Sequence, residues 1–476
     1  MASSITTSNR TLRPEIEIPS TSGSNRDNDD APLSPRSWRH RTVTYKPVSR
    51  RHTVKSLEGH DYFVGPRDIS KHSKWPFFLR MHGSVFPKMI VPLTVVALWS
   101  TAITCISEFS GTELKVNNLL LTVLGFVVGL AISFRTSSAY ERYTEGRKYW
   151  SQLIFLSQNL ARTIWIHASE RDGELGKEDL LAKLSAMNLI NAYASALKHK
   201  VRFEPGINYP DLYDRVEYLD TFAKAAEIDI PKPKESGKAK AVGEYLGVTF
   251  AESNPRKRIK RSKKPLGNLP LEILNHLSMY VHSLISNDTL NIGLYQNQAI
   301  TSIVQLNEVL IGMDRVLQTP LPIAYSIAIS QITWVYVMML PFQLWDDLRW
   351  ITIPGCIFAA YIIIGLAAIG REIENPFGND VNDLPLEAYC EELEMDIDTI
   401  TAQPAPTTNT FMKRPTNMPI WPLSQKNFED WQGRSKQDIR DALMTKTRAD
   451  MEVRKSFAVA RQSEAEEKHV ASMQDA

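Results

Sequence analysis

Residues 117–150 read NNLLLTVLGFVVGLAISFRTSSAYERYTEGRKYW. The stretch is apolar and uncharged from Leu119 to Phe134, then turns polar at once with Arg135, Glu141, Arg142, Glu145, Arg147 and Lys148. At 3.6 residues per turn, Phe126, Leu130 and Phe134 fall four apart and form one bulky stripe that drifts slowly round a helix. Gly125, Gly129 and Ser133 repeat at the same spacing about 100° away, a small-xxx-small pattern that lets helices approach closely. Such stripes suit a ring of identical helices. The small stripe packs on the next subunit, and the bulky one makes a hydrophobic constriction on the ring axis that gates by dewetting. They suit ordinary bundle packing equally, and periodicity alone leaves both readings open.

A bilayer core needs about 20 mostly apolar helical residues to cross it. Four windows meet or approach this: residues 89–106, 119–134, 321–345 and 351–370, the last two without a single Asp, Glu, Lys or Arg. Soluble core helices rarely lack a polar stripe over such lengths. Arg67, Lys71, Lys74, Arg80 and Lys88 precede the first window, and Arg135, Arg142, Arg147 and Lys148 follow the second. The two short links carry Glu108 and Glu113 with Lys115, and Asp346 and Asp347 with Arg349. Basic loops stay in the cytosol, so both short links are expected outside it, with both termini and the long middle segment inside.

The middle segment carries helical spacing at 139–165, 179–200, 269–294 and 299–317, with no convincing strand run. The fold class expected is therefore all-α: four transmembrane helices continuous with a cytosolic helical bundle. Residues 1–44, rich in Ser, Thr, Arg, Pro and Asp, lack a signal-peptide core and read as a disordered tail. Residues 230–265, holding PKPKESGKAK and NPRKRIKRSKKP, read as a disordered basic insertion, a solvated loop or a binder of anionic lipid headgroups. Residues 395–476 read as a largely disordered C-terminal tail.

The chain has 476 residues, 43% hydrophobic and 23% charged, with a net charge of +2, so no global basic field for nucleic acid is implied. Cys105, Cys356 and Cys390 form no CxxC pair or Cys/His cluster and read as packing residues. No HExxH, P-loop or GxSxG motif occurs, and no enzymatic activity is expected.

The run GFVVGLAISFRTSSAYERYTEGRKYW resembles the signature of the bestrophins, above all the bacterial type with its FR, YER and GR-W elements. A second segment, EIENPFGNDVNDLP at 372–385, is similar to the family's NPFG-acidic segment after the last span, and the order of spans and motifs agrees over residues 45–394. The resemblance implies a homopentameric channel in the membrane lipid, passing chloride or other small anions without a required cofactor. Some bacterial relatives prefer cations. In that register the pore neck is Phe126, Leu130 and Phe134, the residues of the bulky stripe, with Gly125, Gly129 and Ser133 expected to pack the helices around the pore. Arg135, at the membrane boundary, reads either as charge that attracts anions at the pore mouth or as a side chain snorkelling to the headgroups. Animal members bind calcium in the NPFG region, and the matching carboxylates are Asp380 and Asp383, with carbonyls near Glu372 and Asn375. Oxygen ligands of that kind suit Ca²⁺, but Asn379, Val381 and Asn382 interrupt the animal acidic run. A cation-conducting channel and a non-conducting membrane scaffold are the alternatives to an anion channel.

Overall fold

A computed structural model describes residues 83–110, 118–204, 206–227, 266–448, 451–452 and 455–456. The N-terminal tail expected at 1–44 and the basic insertion expected at 230–265 lie outside the described residues. Those described all fall within one compact unit, Gly65–Ala476.

Every regular element among the described residues is helical. In chain order the long ones are α1 (Phe86–Ser110), α2 (Asn118–Arg162), α3 (Glu174–Val201), then the short α4 (Tyr213–Val216) and α5 (Phe222–Glu227), followed by α6 (Leu269–Ser286), α7 (Gly293–Gln318), α8 (Ile323–Leu348), α9 (Thr352–Glu372) and α10 (Leu386–Thr401). Two short helices, α11 (Thr408–Met412) and α12 (Phe428–Gln432), come after. Thus α10 runs across the tail boundary expected at residue 394, and Trp165 Nε1 donates to the Gln403 carbonyl at 2.8 Å, tying that region to the bundle.

The four apolar windows all lie on helices. Three stretches are long and apolar enough to cross a membrane, Phe86–Phe109, Leu119–His167 and Ile323–Glu372. The third is a hairpin: α8 ends where Arg349 takes φ 50°, a 3-10 turn follows over Arg349–Ile351, and α9 packs back on α8. Between 22% and 28% of the most apolar window of each stretch is buried within the chain. A soluble bundle would bury its apolar faces, so these helices are built to meet lipid and one another. Trp99 Nε1 donates to the Met338 carbonyl at 2.9 Å and joins α1 to α8.

The longest element, α2, is 45 residues, long enough at 1.5 Å per residue to cross a bilayer and continue about as far again. Its membrane half packs on α8 and α9, and its polar half packs on α7 and α10. It closes in a π-helical turn over Thr163–His167. The polar half of the molecule has one continuous core built from Trp150, Leu153 and Leu160 of α2, Ile190 and Leu197 of α3, Ile273 of α6 and Leu306 of α7. Each such side chain contributes about 1.5–3 kcal/mol by leaving water. The buried Tyr193 hydroxyl donates to the Leu306 carbonyl at 2.6 Å, so its burial leaves no polar group unpaired.

Sequence periodicity runs 269–294 as one helix, whereas α6 stops at Ser286. Asp288 adopts φ 57°, which breaks the helical backbone, and the chain restarts as α7 at Gly293. At the far end of α3, His199 stacks on Tyr209 and lies 2.7 Å from Glu204 and 3.0 Å from Asp211. Burial opposes the charged imidazolium, but those two carboxylates outweigh it and raise the His199 pKa. His199 sits at a helix C-terminus, where the backbone dipole favours the protonated ring.

Candidate functional site: the exposed stripe of α2 and the loop after α9

One face of α2 turns inward. Val128, Ile132, Arg135 and Ala139 are buried, and Val128 and Ile132 pack with Ile329 of α8 and Ala367 of α9. The opposite face is left open. Phe126 is 73% exposed, Leu130 46% and Phe134 57%. Ser137, Glu141, Thr144 and Lys148 are exposed as well. At 100° per residue these seven positions fall within one sector of about 80°. A face that continues from three large apolar side chains into Glu141 and Lys148 is not a lipid-facing one along its length.

Gly125, Gly129 and Ser133 line a groove of about 630 Å³ beside that face, with Tyr336 of α8 and Ile363 of α9 among its walls. The three do not behave alike. A Cβ on Gly125 would meet the Tyr336 hydroxyl at 3.0 Å, so this glycine serves packing within its own chain, while Gly129 faces open space and Ser133 is exposed.

Arg135, expected at the membrane boundary, is turned to the buried face of α2. Its side chain points into the protein, 3% exposed as a residue, with Nη2 3.3 Å from Glu374 Oε2. Its charge is therefore engaged by the turn after α9 within the chain. The spacing 128, 132, 135, 139 follows the buried face of α2, and that signal was available in the sequence.

The loop after α9 is held from three sides. Arg135 binds Glu374, Arg142 Nε donates to the Glu374 carbonyl at 3.0 Å, and Arg142 also reaches the Thr319 carbonyl. Arg202 donates to the Phe377 carbonyl at 3.3 Å and forks onto Glu387, with Nη2 at 2.9 Å. Leu384 N–H donates to the Pro376 carbonyl at 2.9 Å and closes the loop. Phe377 is fully buried against Gly146 of α2. Sequence reasoning picked the loop, Glu374 and Asn382 within it, but missed Lys88, Arg142 and Arg202, which tertiary contact brings to it.

Asp380 and Asp383 do not fit a calcium ion as the chain arranges them. Asp383 is buried, its Oδ2 accepts the Asp380 N–H at 2.7 Å, and that oxygen lies where a Cβ on Gly378 would meet it at 2.5 Å. Asp380 and Glu372 both face the Lys88 ammonium, at 3.5 and 3.2 Å. Among the described residues no three His, Cys, Asp or Glu side chains are grouped to hold a metal. Burial raises the Asp383 pKa to about 6; the Asp380 backbone N–H and Lys88 oppose the rise, and Asp380 and Glu372 add to it.

Long apolar helices continuous with a polar-side bundle, an exposed stripe on the longest of them and a motif loop clamped beneath it define an all-α membrane protein. The chain belongs to the bestrophins: residues 67–399 match the family described as Bacterial/Fungal Bestrophin protein. It is 30% identical to a voltage-dependent anion channel-forming protein of Synechocystis sp. over 327 residues, covering 68% of this chain and 91% of that one. A Nostoc sp. protein of the same description is also 30% identical, over 340 residues, 70% of this chain and 94% of that one. Among solved structures, the crystal structure of a membrane protein carrying one glycine-to-alanine substitution is 20% identical with a TM-score of 0.50, covering 66% of this chain and 99% of that chain.

Proposed function

We propose that this protein is a passive anion channel, with five copies arranged so that the open face of each α2 lines a central pore. The observation that carries the reading is the 80° sector on α2, where Phe126, Leu130 and Phe134 stand exposed and polar side chains continue the same face. Around an axis these three form a hydrophobic neck, and the groove along Gly129 and Ser133 accepts a neighbouring copy. Relatives described as anion channel-forming support chloride and other small anions as the ions carried. The α8–α9 hairpin supports four crossings, which leave both termini in the cytosol by the charge of the loops.

The exposed Glu141 favours a second reading, a cation-conducting channel, because it places a carboxylate on the pore-facing sector. One experiment separates the two. The purified protein is reconstituted in planar bilayers under a KCl gradient, beside a Phe126→Ala/Leu130→Ala/Phe134→Ala variant. Reversal near the chloride equilibrium potential, with larger conductance in the variant, is expected. Reversal near the potassium potential moves the assignment to cations. Absence of current from assembled protein, variant included, overturns the channel reading in favour of a membrane scaffold.

A further inference from the structure

Lys88 lies in the first turn of α1, yet its partners are nearly three hundred residues away. Its Nζ is 3.2 Å from Glu372 Oε2, the last residue of α9, and 3.5 Å from Asp380 Oδ2 in the following loop. A second nitrogen closes the same junction. Asn382 Nδ2 donates to Glu372 Oε1 at 2.7 Å and to the Gly83 carbonyl at 3.0 Å. Gly83 takes φ 79°, left-handed backbone that a side chain would strain, just before α1 begins. Two carboxylates and a backbone carbonyl are thus gathered round an ammonium and an amide. The oxygen groups are of the kind a hard divalent cation takes, but nitrogen donors of the chain itself satisfy them.

We infer that Lys88 is a tethered cation that does in this chain what a bound calcium ion would do, clasping the start of α1 to the end of α9 and the loop beyond it. One ammonium answers both Glu372 and Asp380, and the covalent tether removes the loss of freedom that capturing an ion entails. The clasp therefore stands without a divalent ion and excludes one. Its partner Glu372 is mostly buried, where a carboxylate deprived of its cation is poorly solvated. Lys88→Met removes the ammonium that Glu372 and Asp380 share. The oxygen set can then recruit a divalent cation in its place.

The test is thermal unfolding of the purified full-length assembly in EGTA and in 1 mM CaCl2. The melting temperature of the natural chain is expected not to respond to calcium. Lys88→Met is expected to melt about 2–4 °C lower in EGTA, with calcium restoring much of the loss. Lys88→Arg, which keeps the charge, is expected to melt within a degree or so of the natural chain. The double variant Lys88→Met/Asp380→Asn is expected to lose the calcium response, which separates this junction from ion binding elsewhere. A calcium-induced rise in the natural chain that Asp380→Asn abolishes would overturn the inference, as would Lys88→Met unresponsive to calcium. The readout is unfolding, not current, so it stands or falls separately from the assignment as a channel.

Discussion

Phe377 is packed so closely on Gly146 that a Cβ at that glycine would meet its ring at 3.0 Å and Pro376 at 3.2 Å. The two residues belong to the two motifs by which the sequence resembles its family, and their contact joins the polar half of α2 to the loop after α9. The ring is fully buried. Gly146→Ala gains about 1 kcal/mol of helix propensity but overpacks by about 1–3 kcal/mol, so a net loss of about 1 kcal/mol is expected. Gly146→Val brings branched methyls against the ring without the same helical gain and is expected to cost about 3 kcal/mol. Denaturant or thermal unfolding of the two variants checks the order. Equal stability of all three proteins would show that the ring yields.

Arg135 and Glu374 form a pair with the arginine side chain 4% and the glutamate 19% exposed. Removing one member of a buried pair strands the other, at about 3 kcal/mol. Arg135→Gln and Glu374→Gln are each expected to destabilise by roughly that amount. The double variant is expected to recover more than half, because no charge is left buried. If Arg135 instead served to attract ions, its variants would change the reversal potential and leave unfolding alone. Unfolding midpoints and reversal potentials measured on the same preparations decide between the two roles.

Much of this was legible in the chain before folding. Apolar windows locate membrane helices because a bilayer demands length and exclusion of charge, both one-dimensional properties. Phe126, Leu130 and Phe134 share a face by arithmetic alone. Arg135 was placed by its position at the membrane boundary alone, and the 100° of rotation that separates it from Phe134 puts it on the buried face. The glycines divided in a way no spacing reveals: Gly125 is covered by Tyr336, Gly129 by nothing among the described residues. Lys88 pairs across 284 and 292 residues, a distance over which local pattern carries no information. The same holds for Arg202 reaching Phe377 and Glu387.

Asp383 makes the loop after α9 sensitive to acid in an unusual direction. Burial lifts its pKa to about 6 from an ordinary carboxylate value of 3.8. The folded loop therefore binds a proton more readily than the unfolded chain between those values, and stability falls as pH rises through the folded pKa. The contribution is fully present below about pH 4 and lost above about pH 6. The natural chain is expected to gain stability relative to Asp383→Asn when pH is lowered from 7.5 to 5. Melting temperatures of the two proteins across that range test it, and parallel curves would place the titration elsewhere.

Glu141 lies seven residues beyond Phe134, where an α-helix has returned to within about 20° of the same direction. Its carboxylate makes no ion pair among the described residues and is exposed, as is Lys148 a further seven residues on. In the proposed pentamer, the first charge beyond the proposed neck would be a ring of carboxylates, and the second a ring of ammonium groups. The carboxylate ring would repel anions and the ammonium ring attract them, each over about a Debye length, roughly 8–10 Å in physiological salt. Glu141→Gln is expected to shift the reversal potential toward chloride and to increase chloride conductance several-fold at low salt. Lys148→Gln is expected to shift it the other way. Both shifts should shrink in 1 M KCl, where the screening length is about 3 Å. Salt-independent shifts would trace them to altered packing of α2, and no shift at either position would turn this face away from the pore.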